Sequence, residues 1–348
     1  MNESEQLLAA FSEDIFFKEI LYTDLHYTPE GEISEVELAD LIVYLGDILL
    51  AVQLKERNPG DNSGILEIEK RWLAKKGKKA KEQIKATIAQ IRSGKLTELK
   101  NNRKQRILID KDVEIVPLIV FKNDVLYEYD HILKKHNEKG MDVNCISMSD
   151  FEEICKVIVS PIEIIDYLFW RENMYLKSGK IDTFIFMDDD SFSIANMEDK
   201  ETLPLSYLHQ KYGLDVAQDD NGYMQIFSDY LHVLAEHVVV ESERNAYYDI
   251  LLFLAHLDRN EIKAFVERIQ RAAECNKKGE HTICGSLRNV DQRRVMFFAS
   301  SDTFVHTDYL LGLVKETGMD LEKMLQVIVY YENSGEYRID MKLWCAGR

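Results

Sequence analysis

The amino-acid sequence predicts a mixed α/β domain followed by a helix-rich α+β domain. In residues 1–175, segments with apolar residues at helical spacing alternate with segments of strand-like alternation. Residues 176–348 contain one long helical region with strand patterns before and after it. The length of 348 residues also exceeds that of a single minimal domain. We therefore predict two domains, 1–175 and 176–348.

The elements of the first domain are predicted from local patterns. An apolar stripe over 3–21 predicts a helix, and the turn-rich segment 22–32 predicts an irregular connection. A strand hairpin follows over Glu37–Arg57. The later elements are a helix over 66–93, strands within 105–110, 113–124 and 142–148, and a helix over 161–173.

The second domain is acidic and carries no recognisable catalytic motif. The predicted elements are a hairpin over 181–198, helices within 223–275, a strand over 293–300, and a hairpin over 325–344 that turns near residue 334. We expect this domain to serve dimerisation, sensing or regulation.

Composition indicates the cellular setting. The five cysteines are scattered, which argues against a disulfide framework and favours a reducing compartment. The N-terminal segment lacks the basic and apolar regions of a signal peptide. No apolar run reaches the ~18 residues of a membrane span. We therefore expect a cytoplasmic protein with no membrane partner.

The Glu37–Arg57 hairpin places polar residues where apolar residues would pack well. If residues 46–47 form a two-residue turn, Asp40 lies opposite Gln53, and Leu38 lies opposite Lys55. Because side chains alternate along a strand, Asp40, Gln53 and Lys55 then share one face of the sheet. Between Ala39 and Leu54 the opposite face is purely apolar and is expected to pack against a helix.

The chemistry of these three side chains suits a divalent metal and a phosphate. Asp40 supplies an anionic oxygen and Gln53 a neutral carbonyl oxygen, and Mg²⁺ is commonly held by one or two carboxylates with water and a substrate phosphate. Lys55 can orient a water molecule or stabilise charge on the phosphate. The expected catalytic residues are thus Asp40, Gln53 and Lys55, with Asp40 and Gln53 as ligands of Mg²⁺ or Mn²⁺.

The Asp40, Gln53-x-Lys55 pattern on paired strands resembles the PD-(D/E)xK nuclease superfamily, in a form with glutamine in place of the more frequent glutamate. The resemblance covers about residues 5–125. It implies a restriction-endonuclease-like mixed sheet flanked by helices and a metal-dependent endonuclease, many of which serve prokaryotic anti-phage defence. Members of the superfamily often add an acid from the leading helix, and we expect Glu13, rather than Glu19, in this role. The expected partners include a second copy of the chain or a protein of a defence system.

A basic segment follows the hairpin. Residues 70–106 contain 14 Lys and Arg residues but only two acids, which gives this segment a formal charge of +12. The rest of the chain carries −30, so the net charge of the whole chain is −18. Six lysines surround the polar side of the helix in the basic segment, and they are Lys75, Lys76, Lys78, Lys79, Lys81 and Lys85. Lysine contacts with phosphates provide affinity without sequence preference. Since Trp72 is the only aromatic residue here, we expect duplex DNA rather than stacked single strands, with RNA left open.

A different interpretation of the same residues stays open. A strand-end Asp-Gln-Lys group also occurs as a partly solvated ion pair that protects a sheet edge, and a run of charges is often a solvated helix face. The alternative function is therefore a catalytically inactive protein that keeps the nuclease fold for binding nucleic acid or a partner.

Overall fold

The structure is a computed structural model, and it describes residues 3–27, 36–100, 106–126, 131–133, 143–178, 202–213, 221–237, 246–331 and 337–347. The chain divides into two compact units, Met1–Asp219 and Asp220–Arg348. Both units combine helices with a sheet that contains parallel and antiparallel pairs. The predicted mixed α/β architecture is therefore confirmed.

The first unit is built around a six-stranded sheet. Its elements are α1 (Glu3–Ile20), β1 (Leu21–Tyr27), β2 (Val36–Tyr44), β3 (Ile48–Glu56), a 3₁₀ turn (Pro59–Asp61), α2 (Leu66–Arg92), β4 (Glu98–Lys100), β5 (Arg106–Leu108), β6 (Glu114–Lys122), β7 (His131–Leu133), β8 (Val143–Ser147), α3 (Met148–Ile158), α4 (Pro161–Ser178) and α5 (Thr202–Tyr212). The strand order is β1-β2-β3-β6-β8-β7, and β4 pairs with β5 separately. Strands β3, β6 and β8 are parallel, and the outer pairs are antiparallel.

Both faces of this sheet are covered. Successive residues of β3, from Leu49 to Leu54, are buried, which is typical of a strand packed on both sides. Helix α2 packs across β2, β3 and β6, whereas α1 packs on β1 and β2 and α3 on β6 and β8. The core of this unit therefore lies on the central strands, next to the predicted polar residues.

The β2–β3 hairpin has the predicted register. Its Cα partners are Tyr44 with Leu49 and, at the other end of the ladder, Leu41 with Val52. The backbone N–H of Leu45 donates to the carbonyl oxygen of Ile48 over 2.8 Å and closes the turn. Gly46 has a φ of 96°, a conformation that favours glycine. The two-residue turn that set the positions of Asp40, Gln53 and Lys55 is thus confirmed.

Two parts of the first unit differ from the sequence prediction. The connection predicted over 22–32 begins as strand β1, because its aromatic and β-branched residues pair with β2 and bury Leu21 and Tyr22. Helix α3 was not predicted. Its N-cap is Ser147, whose side chain accepts from the backbone N–H of Asp150 over 3.1 Å.

The second unit is a four-stranded sheet with helices. Its elements are α6 (Asn221–His237), α7 (Ala246–Ala255), α8 (Arg259–Lys277), β9 (Ile283–Asn289), β10 (Arg294–Ser300), α9 (Thr307–Lys315), β11 (Lys323–Tyr331) and β12 (Tyr337–Cys345). The strand order is β12-β11-β10-β9, in which only β10 and β11 are parallel. The predicted strand at 293–300 and the hairpin strands within 325–344 are confirmed. The predicted hairpin over 181–198 and the turn near residue 334 lie outside the described residues.

The division between the units lies between residues 219 and 220, whereas the sequence analysis placed the domain boundary at 175/176. The difference arises because α5 packs against α3 and α4. Tyr207 of α5 makes an edge contact with the ring of Tyr167, and Lys211 lies 2.8 Å from the carboxylate of Asp166. Helix α5 therefore belongs to the first unit. In the described part of the chain, no helix is both long and apolar enough to cross a membrane.

Candidate functional site

The backbone hydrogen bonding between β2 and β3 is interrupted at Asp40. Hydrogen-bonded pairs alternate along an antiparallel ladder, so the backbone N–H of Leu54 would normally donate to the carbonyl oxygen of Ala39. Instead, this N–H donates to Oδ2 of Asp40 over 2.6 Å. The Asp40 carboxylate therefore replaces a main-chain acceptor and holds its own side chain between the two strands.

Gln53 lies beside Asp40 and is fully buried. Its Nε2 donates to the carbonyl oxygen of Leu38 over 3.4 Å, and its Oε1 accepts from Nζ of Lys55 over 2.9 Å. The hydroxyl of Thr87, on α2, donates to the same Leu38 oxygen. The site is thus connected to the basic helix through one backbone carbonyl.

Lys55 completes the group. Its ammonium nitrogen lies 3.8 Å from Oδ2 of Asp40, and the side chains of Lys55 and Asp40 are only 14% and 6% exposed. The structure therefore brings Asp40, Gln53 and Lys55 together as the sequence predicted. Their roles in catalysis and metal binding stay predictions.

Of the two acids on α1 that the sequence suggested, the structure describes the side chain of only one. Glu13 lies on α1, but its side chain is outside the part of the chain whose side chains are described. Glu19, the other acid considered for this role, is fully buried. The metal-ligand role of Glu13 therefore stays a prediction.

The described residues suit a metal site with one carboxylate. Among the side chains that the structure describes, no group of three or more His, Cys, Asp or Glu could hold a metal ion. The oxygen of Gln53 already accepts from a lysine ammonium, whereas Asp40 offers an anionic carboxylate whose side chain is only 6% exposed. Mg²⁺ can be held by a single carboxylate when water and a substrate phosphate complete its coordination. Asp40 fits that arrangement.

The six lysines of α2 that the sequence suggested for nucleic-acid binding are not equivalent. Lys75, Lys76, Lys78 and Lys79 are exposed and, within the described residues, make no ion pair. Lys81 is only 8% exposed. Lys85 lies 3.2 Å from the carboxylate of Glu82. The strongest attraction for an external phosphate is therefore expected from the first four, which we call the lysine surface.

A buried acid at the start of α2 was not predicted from the sequence. Glu69 accepts hydrogen bonds from the backbone and hydroxyl of Ser63 and from Asn123, and it pairs with Nε of Arg57 over 3.0 Å. Burial alone would raise its pKa, but the hydrogen bonds from Ser63 and Asn123 and the charge of Arg57 lower the pKa to about 2. An acid on the apolar stripe of α2, four residues before Leu73, was the available signal.

This cluster ties the loop after β3 to two other elements. Arg57 directly follows β3, Glu69 lies on α2, and Asn123 follows β6. The guanidinium of Arg57 also lies 5.8 Å from the ring centre of Trp72. The cluster therefore fixes the beginning of α2, and with it the lysine surface, against the end of the strand that carries Gln53 and Lys55.

Comparisons with known proteins provide no further assignment. A scan against protein-family models, a search of curated proteins and a search of solved structures each found no match to this chain. The function is therefore inferred from the geometry of the site and from the residues that form it.

Proposed function

We propose that this protein is a metal-dependent endonuclease that hydrolyses phosphodiester bonds of nucleic acid, with duplex DNA as the favoured substrate. The observation that carries the proposal is the contact of Lys55 with both Asp40 and Gln53 on one face of a hairpin. A carboxylate that can hold a divalent ion, a lysine ammonium and a nearby cationic helix are groups that can together promote phosphodiester hydrolysis.

In this proposal each residue has a separate task. Asp40 would hold Mg²⁺ or Mn²⁺, and Glu13 of α1 would add a second carboxylate. The bound ion would neutralise charge on the scissile phosphate and promote the attack of water. Lys55 would place its ammonium beside the phosphate, where a cation stabilises the charge that develops in the transition state. The proposed role of Lys55 requires a fixed ammonium, and the hydrogen bond to Gln53 would help to hold it.

The lysine surface would bind the nucleic-acid backbone. Lys75, Lys76, Lys78 and Lys79 are exposed on the helix that packs over the site strands. Contacts of such side chains with phosphates release counterions and give affinity for any sequence. Specificity for a particular sequence would need other residues.

The order of elements supports the restriction-endonuclease-like assignment that we propose for the first unit. A leading helix, a strand hairpin with the acidic and lysine residues, and a helix on the same sheet occur in that chain order as α1, β2, β3 and α2, with β1 between α1 and β2. A role in prokaryotic defence or repair is part of the same proposal, together with a second copy of the chain or a defence protein as partner.

The second candidate function is a catalytically inactive protein that binds nucleic acid or a partner. Burial of the site favours it, because Gln53 is fully buried and Asp40 is only 8% exposed. Buried polar side chains that satisfy one another's hydrogen bonds, such as these on the strands that α2 covers, can stabilise the fold without any catalytic role. Titration with Mn²⁺ separates the two candidates, since only the enzyme should show binding that depends on Asp40.

Cleavage assays test the proposal directly. Full-length protein is incubated with plasmid, linear duplex, single-stranded DNA and RNA in Mg²⁺, Mn²⁺ or EDTA. Asp40→Asn and Lys55→Ala are compared with Asp112→Ala and Lys111→Ala, which change exposed residues of the same unit. We expect metal-dependent cleavage that is lost in the first two variants and kept in the two controls.

A further inference from the structure

Gln53 uses both ends of its side-chain amide. Oε1 accepts from Nζ of Lys55 over 2.9 Å, and Nε2 donates to the carbonyl oxygen of Leu38 over 3.4 Å. If the amide were rotated by 180°, the donor Nε2 would face the ammonium donor of Lys55, and the acceptor Oε1 would face the carbonyl acceptor of Leu38. Only one orientation of the amide therefore satisfies both neighbours.

A glutamate could not make the same two contacts. An ionised carboxylate has acceptors only, so its second oxygen would face the Leu38 carbonyl without a hydrogen between them. The Leu38 oxygen is held in place because it also accepts from the hydroxyl of Thr87, and a carbonyl oxygen has lone pairs for both donors. The surroundings of position 53 therefore favour an amide.

A metal ion at Gln53 would conflict with Lys55. The ammonium already lies 2.9 Å from Oε1, in a site where Gln53 is fully buried. A divalent ion on the same oxygen would bring like charges together where water screens them poorly. The Asp40 carboxylate also lies 3.8 Å from the ammonium, but its negative charge attracts both cations and offsets their repulsion, which the neutral oxygen of Gln53 cannot do.

We infer that Gln53 is a positioning residue that holds the Lys55 ammonium beside Asp40, and that it is not a metal ligand. The inference rests on the proposed nuclease function, and it changes the ligand role that the sequence suggested for Gln53. As a consequence, replacing Gln53 with glutamate should lower the cleavage activity, although glutamate is the stronger metal ligand.

The first test is Mn²⁺ titration of the full-length protein and its variants. We expect Gln53→Ala to bind Mn²⁺ as wild type does and Asp40→Asn to lose binding. In cleavage, we expect Gln53→Ala and Gln53→Glu to lower kcat about 10- to 100-fold with KM unchanged, as for other partners that orient a functional group. Gln225→Ala, which changes an exposed glutamine, is the matched control.

The second test does not depend on activity. NMR of ¹⁵N-lysine-labelled protein reports the exchange of each ammonium with water, and Lys55→Ala identifies the Lys55 signal. We expect the Lys55 ammonium of wild type to exchange more slowly than those of exposed lysines, and Gln53→Ala to remove this protection. This readout follows the Gln53–Lys55 contact itself.

Three results would overturn the inference. They are loss of Mn²⁺ binding in Gln53→Ala, full activity with tighter Mn²⁺ binding in Gln53→Glu, and fast exchange of the Lys55 ammonium in wild type. If wild type neither cleaves nor binds Mn²⁺, the proposed function fails. The NMR measurement then still decides whether Gln53 holds Lys55.

Discussion

At the residue scale, Asp40 has a structural task that is separate from its proposed chemistry. Its Oδ2 is the acceptor for the buried N–H of Leu54. A buried donor left without a partner costs about 1–3 kcal/mol. Asp40→Ala should therefore lower the free energy of unfolding by about that amount or more, whereas Asp40→Asn keeps an acceptor for Leu54, loses only the charge beside Lys55, and should be destabilised less.

Urea unfolding of both variants measures this difference. Asp112→Ala is the control, because Asp112 is exposed and its removal should leave the midpoint unchanged. Equal destabilisation by Asp40→Asn and Asp40→Ala would show that the hydrogen bond to Leu54 does not stabilise the hairpin. The asparagine variant is for this reason the better test of activity.

Glu69 makes stability depend on pH in the acid range. Its pKa is lowered from 4.5 to about 2 in the folded protein. The stabilisation from a lowered carboxyl pKa is fully present above the unfolded pKa and is lost as the pH falls towards the folded one. Stability should therefore decrease between about pH 4.5 and pH 2, and Glu69→Gln should reduce this decrease.

Thermal unfolding at a series of pH values provides the measurement. Glu67→Gln is the matched control, since Glu67 lies on the same turn of α2 with a side chain that is 70% exposed. If both variants keep the acid-range decrease of wild type, the Glu69 cluster does not contribute to it.

At the element scale, α2 is expected to supply most of the non-specific affinity. Replacing Lys75, Lys78 and Lys79 with glutamine removes three exposed positive charges. Affinity for nucleic acid should fall similarly for all sequences, and the slope of log affinity against log salt should become shallower by about one per lysine. Fluorescence anisotropy over a range of salt concentrations measures both quantities.

Three exposed lysines of the second unit provide the control for this variant. Lys277, Lys278 and Lys315 have similar exposure, and their replacement by glutamine changes the net charge by the same amount. Equal loss of affinity in the two triple variants would indicate that total charge, and not the lysine surface, determines binding.

Sequence patterns predicted the hairpin and α2 well because their signals are local. Residues 46–47 fix the register, and the register places Asp40, Gln53 and Lys55 on one face. The contacts of the site were not predictable in this way. The bond from Leu54 to Asp40 and the bond from Thr87 to Leu38 depend on how strands and helix meet in space.

Other elements were missed because their signals depend on tertiary contacts or were misread. Strand β1 was interpreted as a turn, although its pairing with β2 buries Leu21 and Tyr22. Helix α5 could not be assigned to the first unit from sequence, because its partners are Asp166 and Tyr167 of α4. The polar contacts of Glu69 join three separate segments of the chain.

At the scale of the whole molecule, all residues proposed to act on nucleic acid lie in the first unit, Met1–Asp219. This unit has its own sheet with buried central strands. A chain of residues 1–219 should therefore fold alone and keep metal-dependent cleavage, as measured by circular dichroism and the plasmid assay. A folded fragment without the cleavage seen for the full chain would assign part of the active machinery to the second unit.

The most direct test of the central claim is plasmid cleavage by wild type, Asp40→Asn and Lys55→Ala in Mg²⁺ and in EDTA. Our account predicts cleavage by wild type in Mg²⁺ only, and loss of cleavage by both variants while they remain folded. Cleavage by either variant at the wild-type rate would contradict the account, because it would place the active site elsewhere. If wild type neither cleaves nor binds Mn²⁺, the result would instead support the second candidate function, a catalytically inactive protein that binds nucleic acid or a partner.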